Sequence, residues 1–136
     1  MESAVPLRRM LENDAASEWL GMRLVADEPG RAALELTVGP QHLNGHGITH
    51  GGIVFALADT AFAVACNEDE HVTVAAGADV TFLRPTRLGD VLTATAVRRI
   101  RSGRTGLYDV TVTDADDQTV AEFRGRSFRT DRTLDD

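Results

Sequence analysis

The 136-residue sequence has no lysine; all 14 basic side chains are arginine. Against 21 acidic residues they leave a formal net charge of −7. That balance excludes a general nucleic-acid binder, which carries a basic excess. Arginine is nonetheless the better side chain for bidentate phosphate contacts, so any local group of it matters. A single cysteine, Cys66, excludes an intrachain disulfide and fits a reducing compartment. In its apolar surroundings Cys66 reads as core rather than nucleophile. Long apolar runs are missing too. The greasiest stretch, Ile53 to Cys66, is interrupted by Asp59 and Thr60 and falls short of the roughly 20 residues of a membrane span. The opening "MESAVPLRRMLENDAASEW" has charges where a secretory signal needs an apolar run. The expectation is a cytoplasmic protein with neither a membrane nor a nucleic-acid partner.

What remains is an ordinary globular composition, 43% hydrophobic and 26% charged, at the usual size of one domain. Residues 1–136 are therefore expected to form a single domain. Leu7, Met10, Leu11, Ala15 and Trp19 recur near helical spacing, predicting a helix within residues 1–19. Two strand-like runs follow, "MRLVADE" and "RAALELTV", joined by the turn "EPGR". The stretch from Gly39 to Gly47 reads as loop, and Gly51 or Gly52 to Cys66 as one helix. Four further strands, "HVTVAAGADVTFLRP", "DVLTATAVRRI", "TGLYDVTVTDA" and "QTVAEFRGRSFRT", are separated by "RLGD", "RSGR" and "ADDQ". Residues 130–136 form a polar tail expected to fray. Short turns imply a largely antiparallel sheet. The central helix is apolar around nearly its whole circumference, so it must be covered on every side. A curved sheet of about six strands covers part of it, and a partner subunit the rest. The class is α+β.

The segment "HLNGHGITHGGIVFALADTAFAVACN" raises the functional question. Asp59 is a carboxylate inside an apolar helix, where an unpaired charge is costly or shifts its pKa upward. Either it caps a helix or meets an arginine, or it lines a cleft as base or nucleophile. "ALADTAFA" reads as helix interior, where no cap is needed. "HGG" before the apolar run places glycines at a helix N-terminus. Its free N–H groups can polarise a carbonyl, with Gly51 the best donor; alternatively the glycines only permit a tight bend. His42, His46 and His50 are four apart, a spacing that suggests a metal site on a helix. The intervening Asn44, Gly45 and Gly47 make a poor helix, and no acidic third ligand accompanies them, so no metal is expected. Arginines cluster late: Arg84 and Arg87, then Arg98, Arg99, Arg101 and Arg104, then Arg124, Arg126 and Arg129. Beside a Gly turn they suit a phosphate-bearing ligand, or are solvated strand ends.

The motif "HLNGHGITHGGIVFALADTAFA", with "FLRPTRLGD", "GLYDVTV" and "VAEFRGRSFR", resembles the hotdog-fold acyl-CoA thioesterases of the phenylacetate-degradation (PaaI) group. The resemblance spans roughly residues 21–129. It implies a central helix wrapped by an antiparallel sheet, matching the element order above. It also implies hydrolysis of aryl-acetyl-CoA thioesters, active sites shared within a homodimer, usually a homotetramer, and no cofactor beyond the CoA of the substrate. Carried onto this sequence, the catalytic carboxylate is Asp59 and the carbonyl-polarising donor is the Gly51 N–H. His50 flanks that donor, and Asn44 is a loop amide near the reacting centre. CoA would lie along Arg84 and Arg87 and the hairpin of Arg101, Ser102 and Arg104. Some relatives orient water with a serine where this chain has Ala75. The alternatives are a hotdog enoyl-CoA hydratase or dehydratase, which needs a His and an acid aimed at C2 and C3, and a non-enzymatic acyl-CoA sensor, which usually carries a DNA-binding segment.

Overall fold

The chain alternates between two periodicities, and the long stretch of helical period ends up inside the curve of the stretches of period two. In the computed structural model, residues 1–134 are described. In chain order the elements are β1 (Glu2–Ser3), α1 (Arg9–Glu12), α2 (Ala15–Leu20), β2 (Arg23–Glu28), β3 (Arg31–Thr37), α3 (Gly51–Cys66), β4 (His71–Phe82), β5 (Val91–Ser102), β6 (Thr105–Thr113) and β7 (Thr119–Thr133). The strands form one open sheet in the order β1-β2-β3-β5-β6-β7-β4. Every pairing is antiparallel except the short one between β1 and β2. The seventh strand, against the six expected, is β1.

Alternation sets which side chains meet the helix. Across β3 and β5, Leu34 faces Ala94 and Leu36 faces Leu92; across β6 and β7, Val110 faces Phe123 and Val112 faces Ala121. All eight are buried. The helix supplies Val54, Leu57, Ala58, Ala61, Phe62, Val64 and Ala65 to the same core. Phe62 sits with its ring centroid 5.6 Å from Tyr108 and 5.8 Å from Phe123. That packing needs Gly125, since a Cβ there would lie 2.7 Å from the Phe62 ring. The predicted turns carry the backbone their residues allow: the one non-glycine residue with positive φ among the described residues is Asp117, in "ADDQ". Asp114 Oδ1 accepts from the Asp116 and Gln118 N–H groups to close that turn.

Two expectations are corrected. The N-terminal helix is broken in two, because Asp14 caps α2: its Oδ1 accepts from the Ser17 N–H at 3.0 Å and its Oδ2 from the Ser17 hydroxyl at 2.8 Å. Ahead of α1, Glu2–Ser3 form β1 and residues 4–8 are not helical. The polar tail is not frayed over 130–133. There β7 continues alongside β4, with Thr133 paired to His71 and the Thr130 hydroxyl donating to the Val72 carbonyl at 2.7 Å. Leu134 N–H then donates to the Glu70 carbonyl at 2.7 Å. Polar composition hides a strand when long-range pairing supplies the order. The remainder of that tail, residues 135–136, lies outside the described residues.

Candidate active site

His50 begins the site. With φ −61° and ψ 133° it is the extended N-cap of α3, and its Nδ1 accepts from the Gly52 N–H at 2.9 Å. Gly51 is therefore the first helical residue, and no oxygen accepts its N–H among the described residues. A helix N-terminus leaves such donors free by construction, and the helix dipole makes the place electropositive. Gly51 lines a cleft of about 330 Å³ with Asn44, Thr49, Phe82, Leu83 and Arg84. A Cβ at Gly51 would sit 3.2 Å from the Phe82 ring, so the glycine also lets that ring lie against the helix start.

The approach loop is tied down side by side with the helix start. Asn44 Oδ1 accepts from the His46 N–H at 2.9 Å and the Ile48 N–H at 3.3 Å. Its amide nitrogen makes no hydrogen bond among the described residues, and the residue lines the Gly51 cleft. Thr86 donates its hydroxyl to that of buried Thr49 at 2.7 Å, joining the loop to the segment after β4. His42 is buried: its Nδ1 accepts from the Gly39 N–H and its Nε2–H donates to the Leu20 carbonyl. The three regularly spaced histidines thus do three different jobs: buried brace, exposed loop residue and helix cap. No group of three or more metal-ligating side chains is gathered among the described residues.

Two turns along α3, Asp59 faces a different cleft, of about 420 Å³, with Phe62, Ala63, Val72, Val74 and Ala75 on its walls. It makes no hydrogen bond and no ion pair among the described residues, so it neither caps a helix nor meets an arginine. Burial, and secondarily the charge of Asp14, holds its pKa above the usual carboxylate value. Gly51 and Asp59 are eight residues apart on one helix, roughly 12 Å along the axis. One chain therefore holds an unused donor and an unused carboxylate in separate clefts. Cys66, at the end of the helix, is buried and its thiol pKa is pushed up to about 12, chiefly by that burial; the thiolate needed for nucleophilic work is suppressed.

The arginines divide. Arg84 and Arg87 are exposed, Arg84 lines the Gly51 cleft, and neither side chain has a partner among the described residues. Arg101 lies 3.6 Å from Glu68 and 3.2 Å from Asp69. Arg104 donates to Asp131 at 2.5 Å and to the Arg129 carbonyl at 3.0 Å. Ser102 ends β5 and is exposed. Glu68 is almost fully covered and also takes bonds from Arg98 and the Tyr108 hydroxyl. The acidic run "NEDE" directly after α3 was the signal for this network. Sequence reading also passed over Asn67, whose amide donates to the Ala63 and Thr73 carbonyls and whose Oδ1 accepts the Thr73 N–H at 2.8 Å. Arg8 was missed as well. It donates to the Asn67 and Val64 carbonyls at the end of α3, at 2.5 and 2.6 Å, and to Asp27.

An open antiparallel sheet around one long helix, with an unclaimed N–H at the helix start and an unpaired carboxylate two turns on, defines a class. Residues 46–121 match the thioesterase superfamily model, and the chain belongs to that family. It is an enzyme, a thioester hydrolase of the PaaI type with the hotdog fold. The chain is 46% identical to the acyl-coenzyme A thioesterase PaaI of Escherichia coli over 92% of its own length and 89% of the relative's. The structure of the E. coli PaaI protein, from the phenylacetic acid degradation operon, superposes with a TM-score of 0.89, covering 91% of this chain and 90% of that one. A Streptococcus mutans protein solved bound to acetyl CoA is 26% identical, with a TM-score of 0.79 over 83% of this chain and 91% of the other. No helix among the described residues is long and apolar enough to cross a membrane.

Proposed function

We propose that this thioesterase hydrolyses acyl-CoA esters, with phenylacetyl-CoA or its ring-hydroxylated forms preferred, in sites built between two copies of the chain. The observation that carries the reading is the pair of unused groups on α3. A thioester carbonyl needs a donor about 3 Å from its oxygen and a carboxylate, or one intervening water, at its carbon. Gly51 and Asp59 of one chain are too far apart to serve one carbonyl. Two α3 helices running antiparallel about a two-fold axis bring Gly51 of one chain to Asp59 of the other, twice. The same arrangement covers the half-buried face of α3 that carries Ala56, Asp59 and Ala63. It also uses the free edge of β4, where Val74, Ala75 and Ala76 are exposed; an unpaired apolar edge is a template for pairing. Pairing of such dimers gives the tetramer.

In the reaction the carbonyl oxygen accepts from the Gly51 N–H, which stabilises the negative charge as the carbon becomes tetrahedral. The partner's Asp59 carboxylate attacks that carbon, or takes a proton from a water that does. The C–S bond breaks and CoA leaves as thiolate, which is then protonated. On the direct route, water opens the resulting anhydride; either way the products are the free acid and CoA. His50 fixes the helix start through its bond to Gly52. Asn44 presents its free amide to the reacting centre, the role open where Ala75 replaces a serine. Arg84, Arg87, Arg101, Ser102 and Arg104 take the phosphates. No metal or further cofactor enters. The aryl preference draws support from the 46% identical E. coli relative.

The test is twofold. Phenylacetyl-CoA should release free thiol; an enoyl-CoA consumed without thiol release would favour a hydratase, and binding without turnover a sensor. Mixing inactive Asp59→Asn chains with inactive Gly51→Pro chains should then restore up to about one quarter of wild-type activity, if subunits re-pair at random. Verified heterodimers that stay inactive would overturn the shared site.

A further inference from the structure

We propose that Met10 and Leu134, from opposite ends of the chain, form the end wall of the acyl cleft and set the largest acyl group the enzyme accepts. The inference rests on reading the Asp59 cleft as the acyl site. Outside that cleft of about 420 Å³ lies a second cavity of about 570 Å³, bordered by Arg8, Arg9 and Asn13. Met10 and Leu134 line both cavities, and no other described residue does. They are the partition between the two.

The two sides of the partition differ in chemistry. Inward, Phe62, Ala63, Val72 and Val74 make an apolar sleeve, suited to an aryl or alkyl group. Outward stand two guanidinium groups. The wall is anchored through its backbone and neighbours rather than through polar bonds of its own side chains. Arg8, directly ahead of α1, holds that helix to the carbonyls at the end of α3, which sets Met10 over the cleft. Leu134 is held by its N–H bond to the Glu70 carbonyl. The blocking atoms are thus a flexible thioether and an isobutyl group on a fixed base. Trimming them should merge the two spaces, and enlarging either should shorten the inner one.

The experiment measures kcat/KM by thiol release for acetyl-, phenylacetyl- and decanoyl-CoA. In Met10→Ala/Leu134→Ala, the decanoyl-to-phenylacetyl ratio should rise by about tenfold or more, the scale on which an apolar pocket discriminates by size. In Leu134→Trp and Met10→Trp, the phenylacetyl-to-acetyl ratio should fall by about tenfold. Melting curves confirm that each variant is folded; if the double alanine variant is not, the tryptophan ratios decide alone. Ratios within about twofold of wild type in every folded variant, while wild type turns over, would overturn the wall and leave the thioesterase reading intact. A wild-type enzyme that releases no thiol from any of the three esters overturns both.

Discussion

At the start of α3 the group the proposed mechanism uses is a backbone N–H; two turns on it is a side-chain carboxylate. The first place has no side chain of its own, an arene laid across it and the helix dipole behind it. The second has an apolar sleeve, a carboxylate without a hydrogen-bond or ion-pair partner among the described residues and a pKa held above the ordinary carboxylate value. Each fits one half of a carbonyl's polarity, and neither finds a partner among the described residues of the chain that carries it. The difference teaches that the electropositive half follows from helix geometry alone. The electronegative half has to be maintained against a desolvation cost.

Asp59→Asn tests the costly half and should give the largest effect. It keeps the shape and removes base and nucleophile, so kcat should fall by about 10²–10⁴-fold. The pH profile has a defined sign. Only the carboxylate works, so activity should be lost as pH falls through the raised pKa, with the acid limb above the ordinary carboxylate range. Folding opposes the ionised form, so the wild type loses stability as pH rises through that same value. Asp59→Asn should therefore raise the melting temperature at pH 8 and leave it little changed at pH 4. An Asn variant with wild-type turnover would remove Asp59 from the mechanism.

Gly51→Pro tests the other half. Proline is tolerated at the first helical position, and His50 already has the extended conformation required before a proline. The substitution deletes the N–H with the helix intact, and should lower kcat by about 10²–10³-fold. Gly51→Ala is the control: it keeps the N–H and adds only the Cβ that Phe82 must accommodate. Equal losses in the two variants would mean crowding, not the missing donor, is responsible.

The arginines carry the contrast to a smaller scale. Arg84→Ala and Arg87→Ala should raise KM for acyl-CoA by about threefold to tenfold with less change in kcat, as when uniform binding is removed from exposed ion pairs. An acyl-pantetheine lacking the nucleotide should be indifferent. Arg101→Ala should show the same KM effect and also lower the melting temperature, because it strips a cation from covered Glu68. Arg84, with no carboxylate to lose, should not. The smallest expected effect concerns Cys66. At pH 8 it should resist a thiol reagent until the protein unfolds, since burial suppresses its thiolate; rapid labelling of the native enzyme would contradict its place in the core.

Much of this was legible in order of locality. The strands β2 to β7 and α3 followed from period and turn chemistry, with boundaries within a few residues except at the end of β7. Gly51 and Asp59 stood out as candidates because a glycine pair and a lone carboxylate are out of place in an apolar helix, and the structure sets each in a cleft. Hidden were the features that depend on distant partners. The strand at Thr130–Thr133 exists because β4 lies beside it. The break at Asp14 serves a junction in which Ser17 meets Thr60 across 2.9 Å. Arg101, read from sequence as one of the residues along which CoA would lie, is met by Glu68 and Asp69, which no local pattern pairs with it.

The sheet order has a consequence for how the molecule is made. β4 is the fourth strand to leave the ribosome, yet within the chain its neighbour is β7, the last. Until residues 119–133 emerge, β4 has no strand to pair with, and its apolar side chains wait in solvent. Loop closure between such distant segments is slow relative to local pairing, and an unpaired apolar strand is prone to misassociation while it waits. The Asp59 cleft, lined by Val72, Val74 and Ala75 of β4 and by Leu134, is thus completed only after β7 has emerged.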